Sequence, residues 1–205
     1  DEAMAGAWPR GDGKSFTSFS LETEIDGDGS GVYASLFFEY GLTSRLTLGV
    51  DAGRDLATSD VSAIVFLRYP IFDSGGPNKF AFELGVGSTD LAGQGTFTVR
   101  PGLSWGRGYE AAWGSGWMGV ESTYAVRADG SELGKVDATF GVSHDGGSLS
   151  IFQFQYEQPS GDRSALSIAP AQVFKLSDST FLELGARYRF RDSEKLVKVS
   201  FWLSF

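Results

Sequence analysis

Residues 195–205 read Lys-Leu-Val-Lys-Val-Ser-Phe-Trp-Leu-Ser-Phe. In an extended chain Val197, Val199, Phe201, Leu203 and Phe205 fall on one face, and Lys198, Ser200, Trp202 and Ser204 on the other. A strand of this kind has one face for an apolar medium and one for a polar interior.

Moving back along the chain, the same unit recurs. Stretches of about ten residues alternate in character and are separated by Gly, Ser, Asp or Asn clusters. Twelve such stretches are expected, near 14–25, 31–41, 45–54, 60–70, 79–89, 95–106, 115–127, 133–144, 148–157, 164–176, 180–190 and 195–205. Leu46, Leu48, Val50 and Ala52 oppose Thr47, Gly49, Asp51 and Gly53, and Phe152, Phe154 and Tyr156 oppose Gln153, Gln155 and Glu157. The expected fold class is all-β, a single antiparallel up-and-down barrel over residues 14–205. Residues 1–13, polar and Gly-rich around Trp8-Pro9, are expected to form a short lead-in without a core of their own.

Periodicity alone admits two solutions. A soluble sandwich or lipocalin-like barrel would turn the apolar set inward, and a membrane barrel would turn it outward. Alternation through all twelve stretches, with no covering helix, favours the membrane. So do the aromatics near the ends of apolar faces, namely Tyr40, Tyr69, Phe72, Trp105, Tyr124, Tyr156 and Tyr188, and the final aromatic Phe205.

The terminal strand and the twelve-fold repeat resemble bacterial outer-membrane β-barrel proteins of the small twelve-stranded porin type. The resemblance implies bacterial outer-membrane localisation amid lipid and lipopolysaccharide, and delivery to the barrel assembly machinery through the C-terminal strand. It also implies a channel for small polar solutes, with Tyr40, Tyr69, Trp105, Tyr124, Tyr156, Tyr188 and Phe205 at the membrane interfaces. The first residues lack a basic and apolar leader, so a signal peptide is expected to have been removed.

Composition agrees with this expectation. The 205 residues include 28 Gly and no Cys, which suits one β domain with many tight turns and no disulfide framework. The densest apolar run, Val61 to Leu67, is far shorter than the roughly 18 residues a membrane-spanning helix needs. A net charge of −9 argues against nucleic acid as a partner.

With the N-terminus periplasmic, the outer loops are 26–30, 55–59, 90–94, 128–132, 158–163 and 191–194, all short. The inner connections include two longer ones, 72–78 and 107–114. None is long enough to fold inward as a plug, so strand side chains, water or another molecule must fill the lumen. Its lining is expected to include Glu22, Glu24, Glu39, Asp51, Glu83, Glu121, Asp137, Glu157 and Glu183, nine acids. Eight bases oppose them: Arg68, Arg100, Arg127, Lys135, Lys175, Arg187, Arg189 and Lys198. Known twelve-stranded channels for acidic sugars carry strongly basic lumens, and this balance departs from them.

Approximate registers pair Arg100 with Glu83 and Glu121, Arg68 with Glu83, Lys135 with Glu157, Lys175 with Glu183 and Lys198 with Glu22, leaving Arg187 and Arg189 to face solutes. Inner-face glycines 49, 53, 85, 87, 102, 119, 141 and 185 are expected to widen the lumen, and Phe37, Phe66, Trp117 and Trp202 to narrow it.

Candidate chemistry is sparse. Gly102-Leu103-Ser104-Trp105-Gly106 matches a nucleophile-elbow pattern but lacks a strand-to-helix turn. Some twelve-stranded outer-membrane barrels are phospholipases with Ser and His two apart on the outer face. The single His144 has Ser143 beside it, on the opposite face and at the periplasmic end. Residues 26–31 resemble half a calcium loop, with Phe37 where the closing Glu would stand. The expectation is therefore no enzyme, no cofactor and no metal site. A passive channel leads, followed by a closed anchoring barrel within a larger envelope complex with a protein partner, and then by a lipid-modifying barrel enzyme.

Overall fold

The structure, a computed structural model, describes residues 6–25, 31–72, 76–91, 93–111 and 114–205. Twelve strands follow one another in chain order: β1 Ser15–Glu24, β2 Val32–Gly41, β3 Thr47–Asp55, β4 Val61–Phe72, β5 Asn78–Leu91, β6 Gln94–Ala111, β7 Gly114–Arg127, β8 Glu132–Ser143, β9 Leu149–Pro159, β10 Ala165–Lys175, β11 Thr180–Arg189 and β12 Glu194–Ser204. Each pairs antiparallel with its sequence neighbours, and β1 closes on β12 to form a barrel. The closing seam runs from Phe16 opposite Ser204 to Glu24 opposite Leu196. Closure leaves no unpaired sheet edge, the condition under which strands tolerate an apolar surround.

The alternation resolves as an apolar outside. Phe19, Leu21, Val65, Leu67, Phe82, Leu84, Phe154, Leu184 and Phe201 all lie on the exposed surface. Their neighbours in sequence point inward, where Ser20, Glu39, Arg68, Glu83, Glu183 and Ser200 are buried. A soluble barrel would show the reverse, so the membrane solution of the periodicity is the one adopted.

Aromatic side chains stand on the outer surface toward both barrel ends. Tyr40, Tyr69 and Phe205 are exposed at the lower rim, where β1 begins, with Arg45 stacked 4.8 Å from the Tyr69 ring centroid. Trp105 there donates from Nε1 to Asn78 Oδ1 at 3.2 Å. Toward the upper rim, the Tyr124 hydroxyl donates to Glu132 at 2.6 Å, that of Tyr156 to Gln158 at 3.1 Å, and Tyr188 packs on Phe190.

The strands match the expected stretches closely except at the lower end of β6 and β7. Of the connection expected at 107–114, residues 107–111 and 114 are paired strand, with Arg107 opposite Met118 and Ala111 opposite Gly114, and residues 112–113 lie outside the described residues. Gly108 and Gly114 read as loop in the sequence, but Tyr109 between them covers Gly116 of the next strand, its ring stacks on Phe140 at 5.4 Å, and its hydroxyl donates to the Gly141 carbonyl at 2.9 Å. Cross-strand aromatic cover of this kind compensates for a glycine's missing side chain. Residues 26–30 and 73–75, within the calcium-like stretch and the other long connection, lie outside the described residues.

Candidate functional site: the lumen

Inward-facing positions of β2 to β6 build a chain of ion pairs across the barrel interior. Glu39, fully buried, receives Arg68 and Arg10, the latter also donating from Nε at 2.9 Å. Arg68 reaches on to Glu83 at 2.9 Å, and Glu83 meets Arg100 at 3.1 Å. Arg100 ends the chain on Asp51 at 2.5 Å. Burial of this kind is tolerable because each carboxylate has a cation, and Arg68 and Arg100 each fork between two acids. Both Arg68 and Arg100 also lie near the face of Phe66, at 5.1 and 5.9 Å from its centroid.

The partners differ in part from those expected. Arg68 and Arg100 do meet Glu83, and Lys135 meets Glu157 at 2.7 Å. Arg100 takes Asp51 as its second acid rather than Glu121, and Lys175 pairs with Asp178 at 2.9 Å rather than Glu183. Glu22 sits directly opposite Lys198 in register, yet Arg187 takes it at 2.9 Å while Lys198 crosses to Glu183 at 3.1 Å. Arg189 bonds Asp192 at 3.0 Å and Glu194 at 2.8 Å. Arg187 and Arg189 are therefore paired, because long inward side chains lean along tilted strands and reach diagonal neighbours as easily as direct ones.

Residues 6–13, the described part of the short periplasmic lead-in expected at 1–13, enter the barrel. The Arg10 amide donates to Thr47 Oγ1 at 3.1 Å, and its guanidinium lies 4.8 Å from the Phe16 ring centroid. Ala7 is buried, and Gly6, at φ +79°, comes so near Glu121 that a β-carbon there would lie 2.6 Å from the carboxyl carbon. The wall is hollowed to admit the segment: a side chain at Gly41 would collide with the Gly11 carbonyl, and one at Gly106 with the Trp8 ring. Trp8 joins Ile151, Phe181 and Trp202 around the buried cluster of Trp117, Leu149 and Val173. The lower lumen is thus packed by a segment whose only sequence signal is one tryptophan and one arginine among glycines.

Several inner glycines also do the opposite of widening. Gly49 lies opposite Phe66 and Gly141 opposite Trp117, and in each case the ring occupies the space a side chain would need. Large inward rings and small inward residues are placed across from each other, so they fill the lower lumen.

Two cavities remain in the lumen, one above this packing and one bordered by it. The upper one, about 540 Å³, lies against β2 to β8 and holds the cations Arg68, Arg100, Arg127 and Lys135. Six acids face them, among them Asp51, Glu83 and Asp137. The second, about 310 Å³, runs along β9 to β12 and β1. Glu121 and Phe37 line both.

The single histidine faces outward near the lower rim. His144 Nε2 lies 2.8 Å from Ser150 Oγ, and that hydroxyl donates to Gln172 Oε1 at 2.7 Å. Ser150, rather than the adjacent Ser143, is its partner. The serine sits between imidazole and amide with its proton directed to the amide, whereas nucleophile activation needs the imidazole in the middle as base.

With this geometry in hand, no protein-family model matches the chain, and no curated protein matches it in sequence. Solved structures do. The KdgM porin is similar over 93% of this chain and 99% of its own, with a TM-score of 0.65 and 11% identity. The NanC porin is similar over 92% and 98%, with a TM-score of 0.64 and 12% identity. The COG4313 outer membrane channel from Pseudomonas putida F1 is similar over 100% and 99%, with a TM-score of 0.54 and 12% identity. The chain has the fold of these small outer-membrane porins and channels.

Proposed function

We propose that this chain is a bacterial outer-membrane channel through which small polar solutes diffuse passively. The observation that carries the reading is a closed barrel with an apolar outside and a charged interior holding two cavities, with Glu121 and Phe37 at the wall of both. Likeness to the KdgM and NanC porins supports it. One of the KdgM structures is described as a complex with disordered oligogalacturonate. The present lumen balances acids against bases, so preference for such polyanions does not carry over.

The pore-lining set in this reading is Glu39, Asp51, Arg68, Glu83, Arg100, Glu121, Arg127, Lys135, Asp137, Glu157, Lys175, Glu183, Arg187, Arg189 and Lys198. Arg100 and Asp51 act as the selectivity contact, because their ion pair borders the upper cavity. Segment 6–13 sets the narrowest point. Outer-membrane lipid and lipopolysaccharide surround the aromatic ends, and the assembly machinery receives β12. Neither cofactor nor catalytic step enters this function.

Single-channel recording of the purified protein in a planar bilayer tests it. Steady steps are expected, with a reversal potential that moves toward cation preference in Arg100→Gln. Silence from folded protein, in both the full chain and a Trp8→Ala/Arg10→Ala variant, would overturn the channel and favour a closed anchoring barrel, the reading that dense packing of the lower lumen otherwise supports.

A further inference from the structure

We infer that the cavity along β9 to β12 and β1 is a binding site for an uncharged, hydroxyl-rich solute, that is, a neutral sugar. The inference rests on the channel reading for how the solute arrives, and on the cavity's own chemistry for what it is.

Its cations are already spent on acids. Arg187 holds Glu22 at 2.9 Å, and Lys198 holds Glu183 at 3.1 Å. Glu183 also accepts the Trp202 indole N–H at 3.1 Å. An anion entering here finds Arg187 and Lys198 each already holding an acid, and would have to compete with a largely buried carboxylate for either of them.

The groups left available are carbon faces, neutral polar atoms and the Glu121 carboxylate. Phe16 stands edge-on to Phe37 at 6.4 Å and to Trp202 at 5.7 Å, forming an aromatic arc on the β2, β1 and β12 side. Across from it, Gln155 donates to Gln153 at 3.1 Å, and Gln153 donates to Thr139 at 3.0 Å. An amide nitrogen carries two protons and its oxygen two lone pairs, so this row keeps hydrogen-bonding capacity after its internal bonds are made. Glu121, with no ion pair among the described residues, adds a carboxylate that can accept from hydroxyls.

A sugar ring meets this division of surfaces. Its C–H face packs on an aromatic plane, and its equatorial hydroxyls both donate and accept. A purely apolar guest would leave Gln153, Gln155 and Thr139 facing carbon, and unpaired buried polar groups are what such sites reject most strongly. A pocket with apolar walls and a few placed polar groups, held by contacts to one another before the ligand comes, is the common form of small-molecule sites.

The test uses the full chain folded in detergent, titrated with maltose while tryptophan fluorescence is followed, since Trp8, Trp117 and Trp202 all line the cavity. Saturable change with a dissociation constant on the order of 1–10 mM is expected, and sodium galacturonate should bind at least about tenfold more weakly. Gln153→Ala/Gln155→Ala should weaken maltose at least about tenfold. Ala169→Leu, whose larger side chain fills the same cavity opposite Gln153, should abolish it. No saturation with maltose, or equal binding of galacturonate, would overturn the inference. Conductance measured on the same preparation separates the two claims: binding without conductance sustains the site and sinks the channel, and conductance without binding does the reverse.

Discussion

The Trp8 ring rests against Gly106 of β6, in a space that any side chain at 106 would occupy. That contact holds segment 6–13 inside the barrel, together with the Arg10–Glu39 ion pair. Gly106→Val should displace the segment without breaking a strand pair. Larger single-channel steps, and faster proteolytic cleavage ahead of Ser15 in the folded barrel, would be the signature. Unchanged conductance alongside faster cleavage would show that the segment does not set the narrowest point.

Glu39 joins two arginines, each of which is almost without solvent contact. Replacing it with Ala takes one acid from each of two buried guanidiniums. Loss of one partner from a buried pair costs about 3–5 kcal/mol. The variant should unfold at distinctly lower urea in detergent than the parent. A change below about 1 kcal/mol would mean that water enters this region and the pairs are worth no more than surface ones.

Lys135 and Glu157 present the contrast, with their side chains 43% and 39% exposed. Pairs so well hydrated contribute under about 1 kcal/mol. Lys135→Gln should leave the unfolding midpoint nearly unchanged while making the reversal potential more cation-selective, because a positive charge has left the upper cavity wall. A large loss of stability with no change in selectivity would remove Lys135 from the conducting path.

At the upper rim, the Asp162 carboxylate is held below the usual Asp range by the Arg163 backbone N–H, with the Arg191 guanidinium beside it adding to the effect. Asp192 is lowered in the same way, chiefly by its hydrogen bonds from Arg189. Folded values below the unfolded ones mean that these contacts contribute fully above the unfolded Asp value of about 3.9, and are lost as pH falls through the lowered values. Amide exchange in the loops around 160–163 and 190–193 should therefore be flat from pH 7 to about 5, once corrected for intrinsic rates, and should show opening only below about 4. Loop opening already at pH 6 would assign the order of these loops to something other than the two carboxylates.

Much of this molecule is legible in a two-residue period. Successive side chains of a strand must face opposite ways, so Val197, Val199 and Phe201 against Lys198, Ser200 and Trp202 declare an outside and an inside before any partner strand is known. The same local rule yields the twelve strands and the inward set of acids and bases. It misled where glycines cluster, since 107–114 reads locally as a loop and residues 107–111 continue as strand, where Tyr109 covers Gly116 across the pair.

What only the tertiary structure decided are relationships across the barrel. Glu22 faces Lys198 in register but bonds Arg187, because tilt and side-chain length select among several opposite charges within reach. Phe66 sits on Gly49 and Trp117 on Gly141, pairings that need both strands in place. The course of residues 6–13 carries no periodic signal, and its position follows from the hollows that Gly41 and Gly106 leave and from the carboxylate of Glu39. Alternation is a property of one strand and can be read from it alone. Partner choice and the filling of the lumen depend on how twelve strands stagger when they close, and that is decided in three dimensions.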